Sequence, residues 1–165
     1  MQPEIKTITE KKLAGRWLRM SLAGNRTPEL WQQFMQRRKE ITNAAGPDLY
    51  SVEVYDPTYF EHFDLKNEFE KWAAVEVMDF SAVPAGWETI VIPGGRYAVF
   101  LHKGTAHQAA ATYQYIFGTW LPDAGYLLDN RPHLAVMGAK YKNDDPDSEE
   151  TLWIPIRAKG KPTGN

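Results

Sequence analysis

Glu70, Trp72, Ala74 and Glu76 alternate along a segment that reads as a β-strand, so all four side chains leave the same face. Thr151, Trp153 and Pro155 do the same near the C-terminus, with Leu152, Ile154 and Ile156 on the opposite face. The Leu-Ile-Ile face must meet helices. The Trp153 face then looks away from them, and the matching face of Trp72 and Glu76 looks with it. A carboxylate beside two indole rings suits an organic cation, because ring faces attract positive charge and a desolvated carboxylate attracts it more. The competing readings are plain: core packing for the two tryptophans and a solvated edge charge for Glu76. Glu53, Glu70 and Glu76 would also serve as a general acid or base wherever one is buried.

Other chemistries are poorly provided for. The chain has 165 residues and no cysteine, which removes disulfides, thiol nucleophiles and thiolate metal sites together. His62, His102, His107 and His133 show no zinc-motif spacing, so no metal is expected. Asp144-Asp145-Pro146-Asp147 lacks the glycine and terminal glutamate of a calcium loop. Pro93-Gly94-Gly95 has neither the spacing nor the lysine of a phosphate loop and reads as a bulge. No serine sits in a nucleophile-elbow setting, and nothing calls for a cofactor. A formal net charge of -2 argues against nucleic acid, whose partners carry a large basic face. The one basic patch is Arg37-Arg38-Lys39 with Arg16, Arg19 and Arg26. There is no apolar leader and no run long enough to cross a bilayer, so the expected compartment is the cytoplasm.

The elements that must position these residues follow from periodicity. Ile5 to Met20 reads as a strand with a turn or bulge near Glu10 to Lys12. Thr27-Pro28 starts a helix with Thr27 as its cap, and Leu30, Trp31, Phe34, Arg38 and Ile41 form its stripe. Strands are expected over 49–55 and 69–77, with an ordered aromatic loop over 58–67. Glu88 to His102 reads as a long strand interrupted by Pro93-Gly94-Gly95. Thr105 caps a helix from Ala106 to Trp120, and strands follow over 134–139 and 151–157. The tail from Lys159 to Asn165 should fray.

The two halves echo one another. Gly15-Arg16-Trp17 matches Gly95-Arg96-Tyr97, and Trp72 matches Trp153 at nearly the same offset. The expected fold class is therefore α+β: two strand-helix-strand-strand modules, about 4–80 and about 87–158, in one domain over 1–165. A pseudo-two-fold would relate them, with a ligand cleft between.

Ile92-Pro93-Gly94-Gly95-Arg96-Tyr97-Ala98-Val99-Phe100, then His102 and Gly104, Trp120-Leu121-Pro122-Asp123-Ala124-Gly125-Tyr126 and Trp153-Ile154-Pro155-Ile156 resemble the gyrase-inhibitor-like family, also called the AraC-type effector-binding domain. The resemblance runs over nearly the whole chain and implies the fold just described. It implies a small lipophilic or cationic ligand in an aromatic cleft, and a stand-alone member without its own DNA-binding module. Two departures stand out. A glutamate common in the family two residues before the last strand's aromatic is Thr151 here, and an acidic residue common on the preceding strand is Ala135. The candidate ligand-binding set is Tyr50, Trp72, Glu76, Phe100, Trp120, Thr151 and Trp153, with Glu76 as the surviving carboxylate. The expected function is binding of a lipophilic aromatic or cationic compound. The alternatives are a hydrolase using Glu76 and an interaction protein acting on a partner such as gyrase.

Overall fold

Alternation of apolar and polar residues makes strands the main regular structure of this chain, and the computed structural model, which describes residues 1–160, contains nine. They are β1 (Glu4–Ile8), β2 (Lys11–Ser21), β3 (Leu49–Val54), β4 (Glu68–Glu76), β5 (Glu88–Ile92), β6 (Gly95–Lys103), β7 (Tyr126–Leu128), β8 (His133–Met137) and β9 (Glu149–Ala158). The order across the sheet is β1-β6-β9-β8-β3-β4-β2-β5, all antiparallel, with β7 added on β9. This order reads the same from either end once β1 is exchanged for β5, β2 for β6, β3 for β8 and β4 for β9. The pseudo-dyad passes between β3 and β8, where Val52 faces Leu134.

The breaks expected near Glu10 and at Pro93-Gly94 prove to be crossing points. β1 pairs with β6 of the other half, and β5 pairs with β2. The two ladders share one register, running from Glu4 opposite Val99 to Gly15 opposite Glu88. A single bent ribbon thus ties the two ends of the sheet together and curls it, so that even the face without helices is a core. Leu13, Tyr50, Val52, Trp72, Ile92, Tyr97, Val99 and Leu134 fill that inner face. Gly15 is obligatory in this curl: a Cβ there would collide with the Ala73 carbonyl on β4.

The outer face carries the helices. α1 (Thr27–Arg37) buries Leu30 and Phe34 against Ala14, Phe69, Ala73 and Val75. Thr27 does not cap it. Its hydroxyl is 2.6 Å from the Asn25 side-chain oxygen, and Thr27 is already the first helical residue, ahead of Pro28. A 3-10 turn, Arg38–Glu40, carries the chain to buried Ile41.

The second helix is shorter and less regular than its apolar stripe suggests. α2 spans Ala109–Tyr115, continues as a π-helical turn over Ile116–Trp120 and ends in a short α3 (Leu121–Asp123). Thr105 does not sit at the start of α2, whose N-cap position is Gln108; it closes the turn just ahead of it, its hydroxyl accepting the Gln108 N–H at 3.2 Å while Gln108 returns an oxygen to the Thr105 N–H at 2.8 Å. Buried His102 pins the helix to β6. Its Nε2 lies 3.0 Å from the Thr105 carbonyl, which can only accept, so Nε2 bears the hydrogen. Nδ1 then accepts from the Thr112 hydroxyl at 2.8 Å in the neutral ring. Most of the tail expected to fray, 161–165, lies outside the described residues.

Candidate functional site

Five of the expected residues meet on the inner face. Tyr50, Trp72, Glu76, Thr151 and Trp153 all point inward from β3, β4 and β9. The space between them is filled by the protein itself, and Trp72 is only 4% exposed. Glu76 is already engaged: Lys11 Nζ lies 3.4 Å away, and the Tyr50 hydroxyl donates to it at 3.3 Å. Burial and that carboxylate hold the Tyr50 phenol well above its ordinary range. Trp72 Nε1 donates to Glu70 at 2.6 Å, and Trp153 Nε1 donates to Thr151 at 2.9 Å. These are the same contact in the two halves, with a carboxylate in the first and a hydroxyl in the second. Trp17, opposite Trp72 and 41% exposed, is the ring on this face that solvent reaches best.

Phe100 and Trp120 are not part of this group. Phe100 faces the helices from β6 and packs edge-on against Trp120 at 5.1 Å. Phe100 pairs with Leu152, and cross-strand partners share a face, so its register puts it on the side opposite Trp153. Trp120 stacks on Tyr126 beside an open surface groove of about 460 Å³.

A second constellation lies on the outer face, over the pseudo-dyad. Ser51 and Glu53 project there from β3, Tyr55 from the residue just after it, and His133 and Ala135 from β8. Glu53 is 8% exposed. Its carboxylate holds the Lys71 ammonium at 3.3 Å and accepts the Ser51 hydroxyl at 3.4 Å. Rings from both halves lie near it: His133 is its cross-strand partner, and the Tyr55 and Tyr113 phenols feel its charge. Tyr55 contacts Phe60 at 4.9 Å, Phe60 contacts Phe117 at 5.2 Å, and Phe60 stacks on His133 at 5.7 Å. Tyr113 lies 6.4 Å from Phe117, stacked in parallel on α2. A hollow of about 180 Å³ opens beside Tyr55, Phe60 and His133.

The electrostatics of this groove are those of a dry site. Burial, reinforced by the Glu53 charge, raises the Tyr55 and Tyr113 phenols far above their ordinary range. Burial and then the neighbouring Arg131 push His133 down to about 3, so its ring is neutral at physiological pH. Burial also raises Glu150, the Glu53 charge adds to the rise, and His102 and Lys71 counter it. Among the described residues, no group of three acids or histidines is arranged to hold a metal ion.

The pseudo-dyad links the two departures noted in the sequence. Ala135 on β8 corresponds to Glu53 on β3, and Thr151 on β9 corresponds to Glu70 on β4. The two acids that the resemblance leads one to expect in the second half stand at the equivalent places in the first. Alternation puts Glu53 on the face opposite Tyr50, Val52 and Val54 and leaves its burial open. The repeat offset was the signal that could have singled it out.

The sequence model of one family matches residues 4–156, from the first residue of β1 into β9. The chain belongs to the Cass2 family of integron-associated effector binding proteins. The transcriptional regulator BrlR of Pseudomonas aeruginosa is 30% identical over 138 residues, which are 82% of this chain and 48% of BrlR. The chain thus spans about half the length of that curated relative. Among solved structures, SAV2435 bound to tetraphenylphosphonium aligns over 95% of this chain and 94% of its own, with a TM-score of 0.75 at 12% identity. The EcmrR C-terminal domain aligns over 96% and 98%, with a TM-score of 0.72 at 20% identity. The α+β effector-binding fold of this Cass2-family chain is therefore shared across sequences that have little else in common. No helix among its described residues is long and apolar enough to cross a membrane.

Proposed function

We propose that this chain binds a lipophilic aromatic cation in the groove over the pseudo-dyad, with Glu53 as the charge anchor. The observation that carries the reading is a carboxylate 8% exposed, with His133 as its cross-strand neighbour on β8 and the Tyr55 and Tyr113 rings close enough to feel its charge. The carboxylate already holds one ammonium, that of Lys71, at 3.3 Å, which supports a place suited to positive charge, and ring faces add further attraction for a cation. Family membership supports an effector-binding role, and the likeness to a tetraphenylphosphonium-bound protein supports a cationic ligand. The 180 Å³ hollow is smaller than the pockets that hold drug-sized ligands, so a larger guest enters by parting Phe60 from Phe117.

The test is calorimetric titration with 1-naphthylmethylammonium and with uncharged 1-naphthylmethanol. The cation should bind and the neutral compound should bind much more weakly. Glu53→Gln should cost the cation at least about tenfold in affinity, the low end for a charged contact in a desolvated site. Trp72→Ala should leave binding unchanged. Loss on Trp72→Ala with no effect of Glu53→Gln would move the ligand to the inner face, where Trp72, Trp153 and Glu76 lie.

A further inference from the structure

Glu53 does not wait for a ligand with an empty carboxylate. Lys71, its direct cross-strand partner on β4, lies 3.3 Å away, and both side chains are largely buried, at 18% and 11% exposure. The Lys71 ammonium therefore stands where a bound cation would have to put its charge. We infer that Lys71 is a resident counter-ion that sets the ligand class: the groove accepts cations that carry N–H donors and disfavours fully alkylated ones.

The argument rests on the proposed seat of binding at Glu53. A guest cation must either displace Lys71 or sit beside it. A protonated amine can take over the ammonium's place, since it offers the same short charge-assisted hydrogen bond to Glu53. A trimethylammonium or phosphonium group has no donor and cannot approach the carboxylate as closely. It leaves Lys71 in place and meets its repulsion in a site with little water to screen it. Displaced Lys71 has somewhere to go. It lies within electrostatic reach of Glu150, a half-buried acid on β9, and its flexible stem lets the charge move toward solvent. Glu53, Glu150 and Lys71 sum to one negative charge when both acids are ionised, which matches a singly charged guest.

A matched pair of ligands tests this on the unmodified protein. 1-Naphthylmethylammonium and its N,N,N-trimethyl derivative share ring and charge and differ in the N–H donors. Calorimetry on the wild type should favour the primary ammonium by at least tenfold. Lys71→Met, which keeps the aliphatic stem, should erase at least that much of the preference by tightening the trimethyl compound. Lys71→Arg, which keeps the ion pair should Lys71→Met fail to give a cooperative melt, should leave the preference intact or larger. Equal or inverted affinities in the wild type overturn the inference, as does a preference that survives in folded Lys71→Met. If both compounds bind equally and both are lost in Glu53→Gln, the groove stands and the role of Lys71 falls. If neither binds wild type or variant, the seat at Glu53 falls with it.

Discussion

His133 shows how one side chain records the dryness of the groove. Its ring lies 4.9 Å from Tyr55 and 5.7 Å from Phe60, and its folded pKa is about 3 against an ordinary 6.5. The unfolded chain takes up a proton at pH values where the folded chain refuses it. Stability attached to this residue is therefore full above about pH 6.5 and falls as pH drops toward 3. At pH 5 the loss should reach ~2 kcal/mol relative to pH 7.5. His133→Phe should flatten that part of the acid limb in urea melts taken across pH 5 to 7.5. An unchanged slope would mean that the ring is hydrated in the folded state. Neither His133 nor Glu53 could be recognised as buried from the sequence. Alternation fixes the face that each takes and not what covers that face, and rings from the aromatic loop and from the helical segment after β6 lie over this one, as Phe60 and Phe117 do over His133.

At the scale of elements, the legible parts were those set by local chemistry. Period-two runs placed the long strands within a residue or two, and Thr105, in the turn just ahead of α2, announced the second helix. Pairing partners were less legible, because alternation says which face a residue takes and nothing about which strand lies beside it. The ribbon that exchanges β1 and β5 between halves is the clearest case. It needs Gly15 where β2 crosses β4, and the echo at Gly95 has its own cause: a Cβ there would lie 2.5 Å from an Arg131 nitrogen. Gly15→Ala should cost about 3 kcal/mol or more, since the obstacle is backbone and not a side chain that can turn away. Gly118→Ala is the control, because a Cβ there meets nothing within 4 Å. Thermal melts of the two variants side by side measure the difference. A Gly15→Ala protein as stable as the control would mean that β2 and β4 can separate without loss.

For the molecule as a whole, the pseudo-dyad turns a comparison of halves into an experiment. Glu53 pairs with Lys71 in the first half, and the corresponding pair in the second is Ala135 with Leu152. The two positions lie on the same outer face on either side of the axis, so a carboxylate moved from 53 to 135 should still reach a guest held over that axis. It would also arrive without a lysine, because Leu152 stands at the place of Lys71. The triple variant Glu53→Gln, Lys71→Met and Ala135→Glu should therefore recover cation binding that Glu53→Gln alone loses, to within about tenfold of the wild type on the scale of a single charged contact. Its selectivity should differ from the wild type's. With no resident ammonium to displace, 1-naphthylmethylammonium and its trimethyl derivative should bind about equally. Recovered binding with the wild-type preference intact would assign that preference to the ring walls shared by both arrangements. Failure to recover binding in a protein that still melts cooperatively would mean that the groove is not symmetric in the way its strand order is, and that Glu53 owes its role to neighbours such as Ser51, for which the second half has no equivalent hydroxyl.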